Sequence, residues 1–161
     1  MSTYRVRVEK DQTAFCAGHF ITYDDHQCEP LHGHNYRAAA ELEGSLDGNY
    51  YVFDFTRLKR LLKDIVDQLD HRMLLPARSD RIRVEEDGDQ VVATYKEKRY
   101  VFPRSDVVLL PIPNTTAEML ARWIAGRLRE ALGEAERAGL TAIQVEVEES
   151  FGQRACYREE L

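Results

Sequence analysis

Tyr4, Val6 and Val8 alternate with Arg5, Arg7 and Glu9, the two-residue period of a strand with one buried face. Phe15, Ala17 and His19 share one face of a second extended run. Beyond the next turn, His32, His34, Tyr36, Ala38, Ala40 and Leu42 fall on a common face if that segment is also extended. Gly44 to Gly48 supplies a turn, and Tyr51 to Phe55 is expected to return as a further strand. In TRLKRLLKDIVDQLDH the period changes. Leu58, Leu61, Leu62, Ile65, Val66 and Leu69 recur at helical spacing with charges opposite, and Thr56 is the expected N-cap.

Residues 78–113 read as an inserted hairpin: Ile82 to Glu86 and Val91 to Tyr95 flank Asp87-Gly88-Asp89, followed by RYVF and PIP. A second helix is expected from Asn114, with Thr115 and Glu118 at capping-box spacing. Met119, Leu120, Trp123, Ile124, Leu128, Ala131 and Leu132 give its apolar face, and Gly139 follows its expected end. IQVEVEES and RACYRE close the chain as two strands. Antiparallel strands with two amphipathic helices packed on one face make an α+β fold.

A length of 161 residues fits one domain, 1–161, interrupted by the 78–113 insert. The net charge of −6 argues against a broad nucleic-acid or anionic-membrane surface. No apolar run reaches membrane-spanning length, and MSTYRVRVEKDQ lacks the apolar core of a signal peptide. Three scattered cysteines, Cys16, Cys28 and Cys156, do not form a disulfide framework. A reducing cytoplasm is the expected location.

HQCEPLHGHNY, His26 to Tyr36, gathers a thiol, a carboxylate and imidazoles. His32 and His34 project to the same side of one strand, His19 shares the inward face of a neighbour, and Gly33 permits close backbone approach. Three neutral imidazoles form a catalytic zinc set, with the fourth position left to water or substrate. Two histidines in a turn are equally ordinary surface residues. Cys28 has three readings: a fourth ligand closing a structural site, a free thiol acting as base or nucleophile, or a small buried hydrophobe. Its polar neighbours His26, Gln27 and Glu29 argue against an apolar burial. Asp70-His71 reads as helix-end chemistry or as a proton-transfer pair. Glu149 continues the face of Ile143, Val145 and Val147. Either the strand has ended there, or Glu149 is a buried acceptor for adjacent N–H donors of a heterocycle.

FCAGH (Phe15 to His19), CEPLHGHNY (Cys28 to Tyr36), VFDFTRLK (Val52 to Lys59), LDHRMLL (Leu69 to Leu75), NTTAEMLA (Asn114 to Ala121) and VEES (Val147 to Ser150) occur in that order. Together they resemble the 6-pyruvoyl-tetrahydropterin synthase / 6-carboxy-tetrahydropterin synthase family. The resemblance implies the tunnelling fold: a four-stranded antiparallel sheet with two helices on one face, assembled into barrels, usually homo-hexamers with interfacial active sites. It implies a Zn2+ ion held by His19, His32 and His34, and Cys28 as general base with Asp70 and His71 as relay partners. Glu149 would anchor the pterin ring and Thr116 would line its pocket. The implied substrate is 7,8-dihydroneopterin triphosphate. The spacing from Cys28 to His32 resembles the branch that forms 6-carboxy-5,6,7,8-tetrahydropterin, a queuosine precursor, more than the branch forming the 6-pyruvoyl product. Some relatives use a glutamate in this motif and trim the side chain to 6-hydroxymethyl-dihydropterin, which makes Glu29 the alternative base. As a charged turn residue, Glu29 is expected to face water. A pterin-binding module without catalysis would need Glu149 but not Cys28, Asp70 and His71. The insert is long for the family, and Cys16 is expected to pack as a small hydrophobe.

Overall fold

The computed structural model describes residues 3–161; positions 1 and 2 of the opening stretch lie outside the described residues. The chain runs β1 (Tyr4–His19), β2 (Thr22–Tyr23), β3 (Gln27–Cys28), β4 (His32–Gly44), α1 (Phe55–Val66), β5 (Arg72–Pro76), β6 (Arg83–Asp87), β7 (Gln90–Tyr95) and β8 (Lys98–Pro103). After a single 3-10 turn follow β9 (Val107–Leu110), α2 (Ala117–Ala131), a short α3 (Glu134–Arg137), β10 (Leu140–Ser150) and β11 (Gln153–Glu160). The fold is α+β. Strands β11, β10, β4 and β1 form the expected antiparallel sheet, and β5 and β9 extend it as two short parallel strands beside β1.

The two runs read at the N-terminus are one strand. Its register against β4 shifts between Glu9 and Ala14, a bulge at which the Thr13 hydroxyl donates to the Ala38 carbonyl at 2.8 Å. The bulge keeps Val8 and Phe15 on the same buried side despite their odd separation. Tyr51 to Phe55 is not a strand. Residues 51–54 form a bend into α1, whose N-cap is Asp54, not Thr56; its carboxylate accepts from Arg57 N at 2.6 Å. A carboxylate at that end also suits the helix dipole. Helix α1 buries Leu58, Leu61, Leu62, Ile65 and Val66 and stops there, while Leu69 is buried from the following turn.

Thr116, not Thr115, caps α2; its hydroxyl accepts from Met119 N, whereas Thr115 is wholly buried and its hydroxyl donates to the Phe20 carbonyl. The helix ends at Ala131, well before Gly139, because Leu132 turns extended and α3 intervenes. One core lies between the sheet and helices α1 and α2, joining Phe15, Ala38, Ala40 and Leu42 to Leu58, Leu62, Leu120 and Ile124. The 78–113 segment folds largely as a three-stranded antiparallel sheet, β6–β7–β8, turning at Gly88 with φ +61°. That sheet builds a second core from Phe20, Met73, Leu75, Ile82, Val91 and Tyr95. The last strand of the segment, β9, stands apart from that sheet and joins the main sheet beside β5. No helix of the described residues is long and apolar enough to cross a membrane.

Candidate active site

The ends of β1 and β4 carry the three histidines. His19 pairs directly with His32, and His34 pairs with Ala17, so all three rings rise from one patch of sheet. Gly18 opposes Gly33 between them. A Cβ on Gly33 would lie 3.0 Å from the Ala17 carbonyl oxygen, so the backbones approach closely only because glycine stands there. One ligand nitrogen from each ring lies within 4.8 Å of the others.

The donor set fits a metal ion. His19 is buried, and its Nδ1 meets the Thr115 carbonyl at 2.8 Å. His32 Nδ1 meets the Pro30 carbonyl at the same distance. Both contacts require the proton on Nδ1 and leave Nε2 a lone pair, the second-layer arrangement that orients metal-binding imidazoles. His19 Nε2 has no hydrogen-bond partner although it is fully enclosed. Burial, reinforced by the neighbouring imidazoles, lowers the His19 pKa to about 4 against the pull of the Thr115 carbonyl, so the ring is neutral at physiological pH. A buried, neutral, unpartnered nitrogen beside two others is what a zinc-like cation needs.

Glu149 follows the period argument. It lies on β10 at the register shift between Glu148 and Ser150, half-buried, with Oε1 3.4 Å from His19 Nε2 and 3.6 Å from His34 Nε2. The same side chain and Thr116 line a groove of about 360 Å³ with Ile21, Ala117, Gln153 and Arg154. The strand has therefore not surrendered Glu149 to solvent; it borders both the histidines and the groove.

Glu29 faces water only in part. Its side chain is about a third exposed, and Oε2 lies 3.8 Å from His32 Nε2. Cys28 is half-buried, and its polar neighbours do not keep it from the apolar cluster of Phe20, Tyr100 and Phe102. The thiol donates weakly to the Glu29 carbonyl at 3.5 Å. Burial pushes its pKa up, the nearby Lys98 ammonium pulls it down, and Glu29 pushes it up again. Cys28 is not among the residues whose ligand atoms converge.

Asp70 and His71 are brought to each other but not to the cluster. His71 Nδ1 lies 2.9 Å from Asp70 Oδ2, and both residues are tied to the Cys16 backbone, whose N–H donates to Asp70 and whose carbonyl accepts from His71 N. That N–H holds the Asp70 carboxyl below its usual value, and His71 adds to the effect. Cys16 itself is exposed, so it does not pack as a small hydrophobe: it alternates with buried Phe15 and Ala17 and faces the other side. Among the described residues no hydrogen bond or ion pair joins Asp70 or His71 to Cys28 or the histidines.

Three contributors were not read from the sequence. Thr115 orients His19, a role hidden because a Thr beside a helix start reads first as a cap. Asn114 pairs with both the N–H and the carbonyl of Thr22, fixing the corner after His19. Tyr36 is buried with its hydroxyl unpartnered, its ring 5.4 Å from His34; burial and the carboxylates of Glu149 and Glu29 push its pKa far up. The signal for Tyr36 was its place two residues after His34 on the same face.

The family described as 6-pyruvoyl tetrahydropterin synthase matches residues 7–160. A putative 6-carboxy-5,6,7,8-tetrahydropterin synthase of Methanocaldococcus jannaschii is 36% identical over 148 residues, covering 91% of this chain and 90% of the relative. The 6-pyruvoyl tetrahydropterin synthase of Plasmodium falciparum superposes with a TM-score of 0.94 at 30% identity over 100% of both chains. A Plasmodium vivax homologue gives 0.93, again at 30% identity and full coverage of both; it is a variant in which a glutamate described as a catalytic residue is replaced by alanine.

Proposed function

The chain belongs to the 6-pyruvoyl tetrahydropterin synthase family, and from that premise we propose that it is a zinc-dependent lyase converting 7,8-dihydroneopterin triphosphate to 6-carboxy-5,6,7,8-tetrahydropterin, the queuosine-precursor step. The observation that carries this reading is the convergence of three imidazole nitrogens beside Glu149, which also borders the Thr116 groove. His19, His32 and His34 would hold the ion. Bound zinc would supply Lewis acidity toward the substrate's side-chain oxygens, making the adjacent protons easier to remove. Glu149 accepts the adjacent N–H donors of the pterin ring, and Thr116 flanks the ring in the groove. Cys28 takes a side-chain proton as thiolate.

Asp70 and His71, which make no hydrogen bond or ion pair with Cys28 among the described residues, serve the site of a second copy in a homo-oligomer, a hexamer by the family resemblance. Mixing Cys28→Ala and His71→Ala chains then restores turnover that neither shows alone.

A second reading rests on Glu29, whose carboxylate stands 3.8 Å from His32 Nε2 while burial opposes ionisation of Cys28. There Glu29 removes the proton of the second side-chain hydroxyl, the bond between the first and second side-chain carbons breaks to release the outer fragment as an aldehyde carrying the triphosphate, and the carbon left on the ring takes up a proton to give 6-hydroxymethyl-dihydropterin. The two readings separate by chromatography and mass spectrometry of products from zinc-bound wild type, Cys28→Ala and Glu29→Gln. The first expects 6-carboxy-tetrahydropterin, lost in Cys28→Ala and retained in Glu29→Gln. Production of 6-hydroxymethyl-dihydropterin, lost in Glu29→Gln, transfers the reaction to Glu29.

A further inference from the structure

The turn that carries Cys28 and Glu29 is a weak element by itself. Strands β2 and β3 have two residues each and pair only through Thr22 with Cys28 and Tyr23 with Gln27. Between them Asp24 (φ +44°) and Asp25 (φ +58°) both adopt left-handed backbone, which non-glycine residues seldom hold without support. A two-stranded hairpin of this size is not stable in isolation. Its position must be imposed from outside.

Asn114 holds its first strand at Thr22, and the segment that forms the β6–β8 sheet holds the rest with three cations at successive points of the turn. Arg81, just before β6, donates to the Asp25 carbonyl and to its carboxylate, the latter at 2.8 Å. Lys96, in the tight turn between β7 and β8, donates to the His26 carbonyl at 2.8 Å. Lys98, opening β8, donates to the Cys28 carbonyl at 3.2 Å. On its apolar side Cys28 packs in the cluster that contains Tyr100 and Phe102 of the same strand and Phe20 from the end of β1. The turn is thus pinned by charge along its backbone and by apolar contact behind the thiol.

We infer that Lys98, aided by Lys96 and Arg81, is a positioning residue of the β6–β8 sheet that fixes Cys28 and Glu29 relative to the histidine cluster. The inference rests on the reading of that cluster as the reaction site, and it gives the 78–113 segment a role in the chemistry. Lys98 is also the group that offsets the burial of the Cys28 thiol. The charged groups around the turn are Lys98 and Lys96 from the sheet, Arg81 paired with Asp25, and Glu29 on the hairpin's own exit. Of these, Lys98 and Glu29 act on the thiol in opposite senses.

The test reads the thiol directly, without turnover. Zinc-bound full chain is treated with iodoacetamide across the alkaline range, and Cys28 labelling is followed by mass spectrometry with Cys156 as internal reference. Amide exchange of residues 22–29 is measured in parallel. Lys98→Met should raise the pH of half-maximal Cys28 labelling, equivalent to an about two- to fivefold smaller thiolate fraction near pH 8. It should also speed exchange across the hairpin, while Lys98→Arg restores both. A Lys98→Met profile identical to wild type would overturn the inference, as would a Lys98→Arg variant that behaves like Lys98→Met. Because neither readout needs substrate, an inactive wild-type protein would count against the proposed function and not against Lys98.

Discussion

At the scale of single residues, the site depends on what stands between and behind the histidines. Gly33 lets β1 and β4 approach where His19 and His32 face each other. Gly33→Ala would place a methyl group 3.0 Å from the Ala17 oxygen and push the two ligand-bearing strands apart. The expected result is a folded protein with zinc affinity lower by about tenfold or more, as for loss of an orienting second-layer contact, measured by chelator competition. The three histidines were legible because the runs that carry them alternate locally, FCAGH at the end of β1 and HGH at the start of β4, and Glu149 continues the face of Ile143, Val145 and Val147 although a register shift falls at it. Thr115 was not legible, because its contribution is a backbone carbonyl aimed across the chain at His19. The approach of Glu29 to His32 was hidden for a similar reason. Nothing local to a turn tells which way a carboxylate points when its neighbour His32 is three residues on.

At the scale of elements, periodicity located α1, α2 and the long strands, whereas their ends were set by side chains that local rules rank nearly equally. Asp54 and Thr56 are both acceptable caps, and the structure uses Asp54. Asp54→Ala should therefore lower stability by about 1 kcal/mol and Thr56→Ala by much less, in denaturant titrations. The polar face of the sheet has its own tie. Arg7 on β1 reaches across β4 to Glu146 on β10 with paired contacts of 2.9 and 2.7 Å. The Arg7 guanidinium holds Glu146 below its ordinary value of 4.5. A carboxylate with a lowered folded pKa stabilises fully above the unfolded value and loses that contribution as pH falls through the folded value. Glu146→Gln should thus cost about 1 kcal/mol near neutral pH and nearly nothing once the wild-type carboxyl is protonated, in denaturation at two pH values. The bulge joining two predicted strands into β1 was hidden because it breaks the alternation that identifies strands.

At the scale of the whole molecule, the order of elements was legible and the long-range pairings were not. Parallel β5 lies beside β1 and β9 beside β5, and the β6–β8 sheet rises from the segment linking them and packs a second core against Met73, Leu75 and Val107. A sequence reading sees that segment as a hairpin insert and cannot see that it returns to hold the turn bearing Cys28 and Glu29. That Asp70 and His71 make their contacts with each other and with the Cys16 backbone likewise shows only once the chain is folded, and it motivates the proposal that the site is completed by a second copy. The central claim, a metal-dependent conversion of the pterin side chain, is tested most directly by one measurement. Metal-free and zinc-reconstituted wild type are incubated with 7,8-dihydroneopterin triphosphate, and bound zinc, pterin products and released aldehyde are quantified together. Stoichiometric zinc is expected, with 6-carboxy-tetrahydropterin and acetaldehyde formed only by the reconstituted protein. Zinc bound at full stoichiometry with the pterin recovered unchanged would contradict the claim.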